Sequence, residues 1–131
     1  MKHYRYLLLF AFVISFNANA FKPKIEIIEQ FDNLKMVAFI SQEDMKDNPE
    51  WNPNLDVPPL TVSAAIKAVK KYTKSLKPIK EIEIRRVPDY ENHWHYLVKS
   101  ADDSMKSKYD IYVVLMNGKV IPAMIEPQGY K

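Results

Sequence analysis

Residues 61–76 read TVSAAIKAVKKYTKSL, and residues 79–87, which follow closely, read IKEIEIRRV. In the first stretch apolar side chains recur at steps of three and four residues, the spacing of one face of an α-helix. These side chains are Val62, Ala65, Ile66, Val69, Tyr72 and Leu76. Thr61 can accept a hydrogen bond from the first turn through its hydroxyl, and Pro78 cannot continue a helix. We therefore predict an amphipathic helix at residues 61–76.

The residues after this helix predict a sheet, because apolar and polar side chains alternate with a period of two. The alternating segments are residues 79–87, 93–100, 108–116 and 119–125. Asn117-Gly118 favours a two-residue type I′ turn, in which both residues have positive φ. Pro122 has no N–H to donate, which places its strand at a sheet edge or a bulge. The predicted fold class is α+β, with one amphipathic helix packed on a four-stranded or larger antiparallel sheet.

Two segments precede the helix. Residues 21–41 contain two β-rich runs, KIEIIEQ and LKMVAFIS, which predict an N-terminal β-hairpin. The pattern leaves open whether this hairpin extends the main sheet or packs beside it. Residues 42–60 hold four prolines, three asparagines and three aspartates, a composition typical of an ordered loop. Trp51 lies in the middle of this loop and can pin it to the domain as an apolar plug.

The first twenty residues predict a targeting segment. Residues 1–6 are basic, residues 7–16 are apolar apart from one serine, and small residues follow at Ala18 and Ala20. This order is typical of a secretory signal peptide that is cleaved after Ala20. A run of this length is also too short to span a bilayer, which needs about 20 apolar residues. We expect an exported protein, periplasmic or secreted, with a single domain at residues 21–131.

Composition excludes several classes of protein. The chain has 131 residues, of which 47% are hydrophobic and 27% charged, so we expect a folded domain. It has no cysteine, which excludes disulfides, a thiol nucleophile and a thiolate zinc site. Its two glycines, Gly118 and Gly129, cannot build a glycine-rich phosphate loop. With no cysteine to carry a lipid and no second long apolar run, we expect no stable membrane anchor.

The net charge of the chain falls when the predicted signal peptide is removed. The whole sequence has 19 basic and 16 acidic residues, and without Lys2 and Arg5 it has 17 against 16. The densest basic cluster has its lysines three and four residues apart on the predicted helix. They are Lys67, Lys70, Lys71, Lys74 and Lys77. This spacing is typical of a solvated helix face, so we expect no nucleic-acid partner.

The order of these elements resembles the PepSY-like group of small exported domains, over about residues 61–125. The resemblance rests on Ala65-Ile66 in the helix, on Tyr112-Val113-Val114, and on the hairpin Asn117-Gly118-Lys119-Val120. The hairpin turn is shorter than in that group, whose common core also lacks residues 24–41 and the Trp51 loop. The resemblance implies a non-enzymatic module of the envelope or cell exterior, which restrains a peptidase or binds another partner.

Candidate site residues come from two sets. His93 and His95 are two residues apart on a predicted strand, so their imidazoles share a side and, with Asp110 as a third ligand, could hold Zn²⁺ or Cu²⁺. The alternative is that both lie on the polar, solvent-facing side of a half-buried strand. Trp51 and Tyr90 lie in loops, and as an exposed aromatic pair they would suit the centre of a protein or peptide contact.

These residues support two functional hypotheses. The first is an exported, non-catalytic binding module for a protein or peptide partner, which could also use an exposed sheet edge. The second is a small periplasmic metal or ligand carrier that uses His93 and His95. The sequence shows no serine nucleophile motif with a partner base, so we expect no enzyme activity and no cofactor. It leaves the oligomeric state and the identity of the partner open.

Overall fold

The computed structural model describes residues 23–31, 34–102 and 109–127. The predicted signal peptide, with Ala18 and Ala20, lies outside the described residues. The elements in chain order are β1 (Ile25–Phe31), β2 (Leu34–Ile40), α1 (Gln42–Asp47), α2 (Val62–Thr73), β3 (Ile79–Arg86), β4 (Trp94–Ala101), β5 (Tyr109–Leu115), β6 (Val120–Pro122) and β7 (Met124–Pro127). In the described part of the chain, no helix is both long and apolar enough to cross a membrane.

The strands form two antiparallel sheets, which confirms the α+β class. Their strand orders are β1-β2-β7 and β3-β4-β5-β6. The N-terminal strands β1 and β2 therefore do not extend the four-stranded sheet. The predicted strand at residues 119–125 is divided at Ala123, whose N–H donates to the Ile111 carbonyl (3.0 Å) before the chain enters the second sheet. Pro122 lies on β6, an edge strand among the described residues, as its missing N–H predicts.

A core of buried apolar side chains lies between the two sheets. It includes Ile27, Met36, Ala38 and Ile40 from the three-stranded sheet, and Leu97, Ile111, Val113 and Leu115 from the four-stranded sheet. On β2 these are the alternate residues of one face, because successive side chains of a strand point to opposite sides. The two inner faces therefore exclude water together.

A second cluster of buried side chains includes residues of helix α2. Ala65 and Val69 are buried in one cluster with Tyr96 and Val114. Thr61 caps the helix, since its Oγ1 accepts a hydrogen bond from the Ala64 N–H (3.1 Å). With the second sheet on its opposite face, β4 is buried at every position from residue 95 to residue 100.

The helix is shorter than the apolar spacing predicts. Lys74 adopts the left-handed conformation (φ 54°), and its N–H donates to the Lys70 carbonyl (2.8 Å). This cap ends α2 at Thr73, well before Pro78. Leu76 consequently lies outside the helix and is 98% exposed. Val62 and Tyr72, at the two ends of the predicted apolar face, are also exposed.

The prediction of an ordered loop over residues 42–60 is only partly right, because the first residues of this segment are helical. It begins with α1, whose N-cap is Ser41: the Ser41 Oγ accepts a hydrogen bond from the Asp44 N–H (3.0 Å). A serine followed three residues later by an acidic residue is a helix-start signal. Only Met45 of this helix is buried, so the apolar periodicity that reveals longer helices is missing.

The β5–β6 turn is not the predicted type I′ turn. Gly118 has positive φ (90°), whereas Asn117 does not. The Leu115 N–H donates to the Lys119 carbonyl (2.9 Å), and the Gly118 N–H donates to the Leu115 carbonyl (2.8 Å). These bonds define a three-residue connection in which glycine takes the left-handed position. The Asn117 side chain accepts a hydrogen bond from the Lys119 N–H (3.0 Å), which stabilises this longer turn.

Candidate functional site

Two neighbouring clefts lie beside the β3–β4 loop, and Gln42 and Tyr90 line both of them. The first has a volume of about 540 Å³ and is also lined by Glu50 and His93. The second has a volume of about 550 Å³ and is also lined by residues 24–26 and Ile28 at the start of β1. We call this continuous region the Tyr90 surface.

The β3–β4 loop holds Tyr90 in a fixed position. Val87 is fully buried, its N–H donates to the His93 carbonyl (2.8 Å), and the Tyr90 N–H donates to the Val87 carbonyl (3.2 Å). Asp89 and Asn92 have positive φ (64° and 60°), a conformation that these two residue types tolerate better than most. Tyr90 packs partly against the inter-sheet core, so a constrained loop presents the rest of its ring at the clefts.

His93 lies on the Tyr90 surface, immediately before β4 rather than within it. Its ring meets the Tyr90 ring edge-on, with centroids 6.0 Å apart. Its Nε2 lies 3.8 Å from Glu50 Oε1. Its Nδ1 is shielded from solvent and has no hydrogen-bond partner among the described residues. The exposed part of the His93 ring therefore lines the first cleft, while its Nδ1 stays inside the protein.

His95 is buried between the two sheets and has no exposed surface. Its Nδ1 lies 3.1 Å from the Tyr96 carbonyl, which can only accept, so Nδ1 carries the proton. Its Nε2 has no partner among the described residues. Burial lowers the pKa of His95 to about 4, and the positive charge of Arg85 contributes to the decrease. The ring is therefore neutral at neutral pH.

The solvent-facing prediction for this side of β4 is wrong, because the three-stranded sheet covers it. Asp110 pairs with Ser100 while His95 pairs with Leu115, so five residues, or about 17 Å of strand, separate the carboxylate from the histidine. Within the described ranges, no group of three or more histidine, aspartate or glutamate side chains is placed to hold a metal ion.

Trp51 is 8% exposed, so the prediction that it forms an exposed pair with Tyr90 is wrong. Its indole N–H donates to the Asp56 carbonyl (2.8 Å), and its ring meets the Trp94 ring edge-on at 5.5 Å. Its backbone N–H donates to the Asn92 carbonyl (2.7 Å). Trp51 therefore pins the loop to the domain as the predicted apolar plug.

Charged residues meet where the edge strands β1 and β3 of the two sheets come together. The Arg85 guanidinium lies 3.1 Å from Glu29 on β1 and 2.6 Å from Glu83 on its own strand. Lys99 on β4 is 5% exposed, and its Nζ lies 3.3 Å from Glu81 and 3.6 Å from Glu83. Inward-pointing charges are a known means of preventing edge strands from pairing with other chains. This network therefore needs no functional explanation, because its charges can keep the edge strand β3 from pairing with another chain.

Two residues that sequence reasoning did not select hold the Tyr90 surface in place. Asn48 is 2% exposed; its Oδ1 accepts from the Met116 N–H (2.9 Å) and its Nδ2 donates to the Trp94 carbonyl (3.2 Å). Gln42 Nε2 donates to the Pro23 carbonyl (3.0 Å) and so joins α1 to the start of β1. The helix-start signal at Ser41 could have revealed Gln42 as a first-turn residue, but nothing in the sequence distinguishes Asn48 from the other loop asparagines.

Comparisons with known proteins give no match to this chain: no family model matches it, and neither does a curated protein or a solved structure.

Proposed function

We propose that this chain is an exported, non-catalytic binding module that holds a protein or peptide partner at the Tyr90 surface. Its scaffold is one helix on the four-stranded sheet, with the N-terminal strand pair beside it. The observation that carries the proposal is that two clefts of about 540 and 550 Å³ share the half-buried Tyr90. A partly exposed aromatic ring on a constrained loop buries a large area on binding and loses little conformational entropy.

The shape and chemistry of the Tyr90 surface suit an extended segment. Each cleft has the volume of a typical ligand site, and the two share Gln42 and Tyr90 as lining residues. The second cleft lies against β1, which among the described residues pairs only with β2. An edge strand offers unpaired main-chain N–H and C=O groups, to which an extended peptide can add as a further strand. Gln42, Glu50 and His93 supply side-chain hydrogen-bonding groups beside that path.

Binding is proposed rather than catalysis because of the residues that line the clefts. The described lining residues of both clefts include no serine or threonine, and the chain has no cysteine. A hydrolytic mechanism based on such a nucleophile therefore has no starting group at this surface. The resemblance to PepSY-like domains supports an exported peptidase or an envelope protein as the partner.

The test compares Tyr90→Ala with Tyr72→Ala, a matched substitution of an exposed tyrosine on α2. The protein, expressed from its full sequence, is crosslinked in envelope and supernatant extracts, and the captured partner is then purified and titrated. Loss of a central aromatic costs about 2 kcal/mol or more, so we expect Tyr90→Ala to weaken binding roughly 30-fold. We expect Tyr72→Ala to bind like the wild type. Equal binding by Tyr90→Ala, or no enrichment over beads without bait, would contradict the proposal.

A further inference from the structure

The charge of this chain is distributed very unevenly. Between residues 61 and 80 there are six lysines and no acidic residue. From residue 21 onward, the rest of the chain has 11 basic residues against 16 acidic ones. The segment around α2 is therefore strongly positive, while the remainder of the predicted mature chain is net negative.

Four of these lysines form an exposed face on α2 and its cap. They are Lys67, Lys70, Lys71 and Lys74, and all four are exposed. The helix meets the sheet through Ala65 and Val69, which lie on its other side. Lys77 is only partly exposed and lies 4.0 Å from Asp110, so we leave it out of this face.

A protruding leucine follows the lysine face in the chain, two residues after Lys74. Leu76 is 98% exposed, the largest exposed fraction of any large apolar side chain in the described residues. The left-handed cap at Lys74 ends the helix before Leu76, so Leu76 does not belong to the apolar face of α2. We define Lys67, Lys70, Lys71, Lys74 and Leu76 as the lysine–leucine patch.

We infer that the lysine–leucine patch docks the protein on an anionic phospholipid surface. Clustered lysines are attracted to anionic headgroups, and an exposed apolar side chain close to them in the chain can enter the boundary between headgroups and acyl chains. The negative remainder of the chain favours the same orientation, because an anionic surface attracts α2 and repels the other faces. Docking is peripheral and reversible, since the patch has a single protruding leucine and no spanning segment.

A bilayer fits this patch better than an acidic protein or a nucleic acid. The patch is the convex side of a helix with one isolated leucine. Lys70 also lines a cavity of about 210 Å³ beside the patch, but polar residues such as Thr73, Ser75 and Asp110 line much of it, so an apolar side chain of a protein partner would gain little there. Lysine ammonium groups are point charges without the paired donors that arginine uses to recognise individual carboxylates or phosphates. A fluid surface with many anionic groups satisfies such charges without shape complementarity.

The patch is separate from the Tyr90 surface, so both can be occupied together. The described residues that line the two clefts come from β1, α1 and the loops beside them, and none comes from α2. The inference goes beyond the proposed function: a module held on a membrane by α2 would still present the Tyr90 surface to a partner.

The experiment measures co-flotation with lipid vesicles. The protein is expressed from its full sequence and purified in the form that the cell produces. One set of vesicles is phosphatidylcholine alone, and the other is phosphatidylglycerol and phosphatidylcholine in equal parts. We expect binding to the anionic vesicles only, weakening as salt is raised. Each lysine near an anionic surface contributes to the free energy of membrane binding, and Lys67→Glu/Lys71→Glu reverses two of these charges. We expect this variant to lower the partition coefficient by more than about tenfold. We expect Leu76→Ser to lower it by about tenfold.

The matched control is Lys46→Glu/Arg86→Glu, which makes the same charge change on α1 and β3. All these positions are exposed, so each variant is expected to fold, which circular dichroism checks. We expect the control to keep most of the wild-type vesicle binding. An equal loss in the control, equal binding to uncharged vesicles, or binding to DNA or an acidic protein without binding to vesicles would overturn the inference. Wild-type binding by Leu76→Ser would overturn the insertion of the leucine.

Discussion

His95 shows how a single polar residue inside the sandwich makes stability depend on pH. Burial lowers the pKa of its ring from 6.5 to about 4. In the unfolded chain the ring takes up a proton near pH 6.5, whereas in the folded protein it stays neutral until about pH 4. The unfolded state therefore binds more protons between these values, and the free energy of unfolding falls as the pH decreases through this window.

We expect His95 to remove roughly 2 kcal/mol from the free energy of unfolding between pH 7 and pH 5. Urea unfolding at a series of pH values measures this loss. His95→Leu keeps every carboxylate of the chain and lacks the titrating ring, so its stability should change less over the same range. If the two proteins lose the same free energy of unfolding, the histidine is not the cause.

The same residue marks a limit of sequence reasoning at this scale. The alternation on β4 correctly separates Tyr96 and Val98 from His95 and Lys99. It cannot show that a second sheet covers the polar side, because that cover comes from β1, β2 and β7, which are distant in sequence. For the same reason the alternation gives no sign that Lys99 is buried and paired with two glutamates from β3.

Among the elements, the loop before α2 depends most strongly on one side chain. The Trp51 ring packs against Trp94 on β4, and its indole N–H donates to the Asp56 carbonyl within the loop. We expect Trp51→Ala to lower the free energy of unfolding by about 3–5 kcal/mol, since it leaves a large cavity and unpins the loop. Circular dichroism during urea unfolding measures the loss.

The control for this prediction is Trp51→Phe. It keeps an aromatic ring against Trp94 and removes the indole hydrogen bond to the Asp56 carbonyl. We expect a smaller loss than for Trp51→Ala, because Asp56 is exposed and water can replace the donor. A loss below about 1 kcal/mol for Trp51→Ala would mean that the loop does not depend on this contact.

Elements with strong periodicity are predicted well, and elements defined by single residues are not. The start of α2 follows from its cap residue Thr61, and the positions of β1 to β5 follow from runs of apolar and β-favouring residues. The end of α2 depends on Lys74, which adopts a conformation that favours glycine, and no sequence pattern signals it. The sequence places Tyr90 in a loop but does not predict the clefts beside it. These clefts also need α1, a helix that apolar spacing does not reveal because it has only one buried residue.

For the molecule as a whole, the shared inter-sheet core predicts cooperative unfolding. Side chains of both sheets bury one another, and the break at Ala123 passes the last strand from the four-stranded sheet to the other. Neither sheet can separate without exposing residues such as Met36 and Leu97, which are almost completely buried. We therefore expect one two-state transition in urea, although the described residues form two sheets and two helices.

Two probes on opposite sides of the molecule test this prediction. Trp51 and Trp94 report by fluorescence on the helix side of the four-stranded sheet. Native-state hydrogen exchange of the β1 and β2 amides reports on the other sheet. We expect the most protected amides of β1 and β2 to exchange with the same free energy and urea dependence as global unfolding followed by fluorescence. Exchange at a clearly lower free energy would show that the three-stranded sheet opens separately. Because β1 borders the Tyr90 surface, such opening would make partner binding depend on the stability of that sheet.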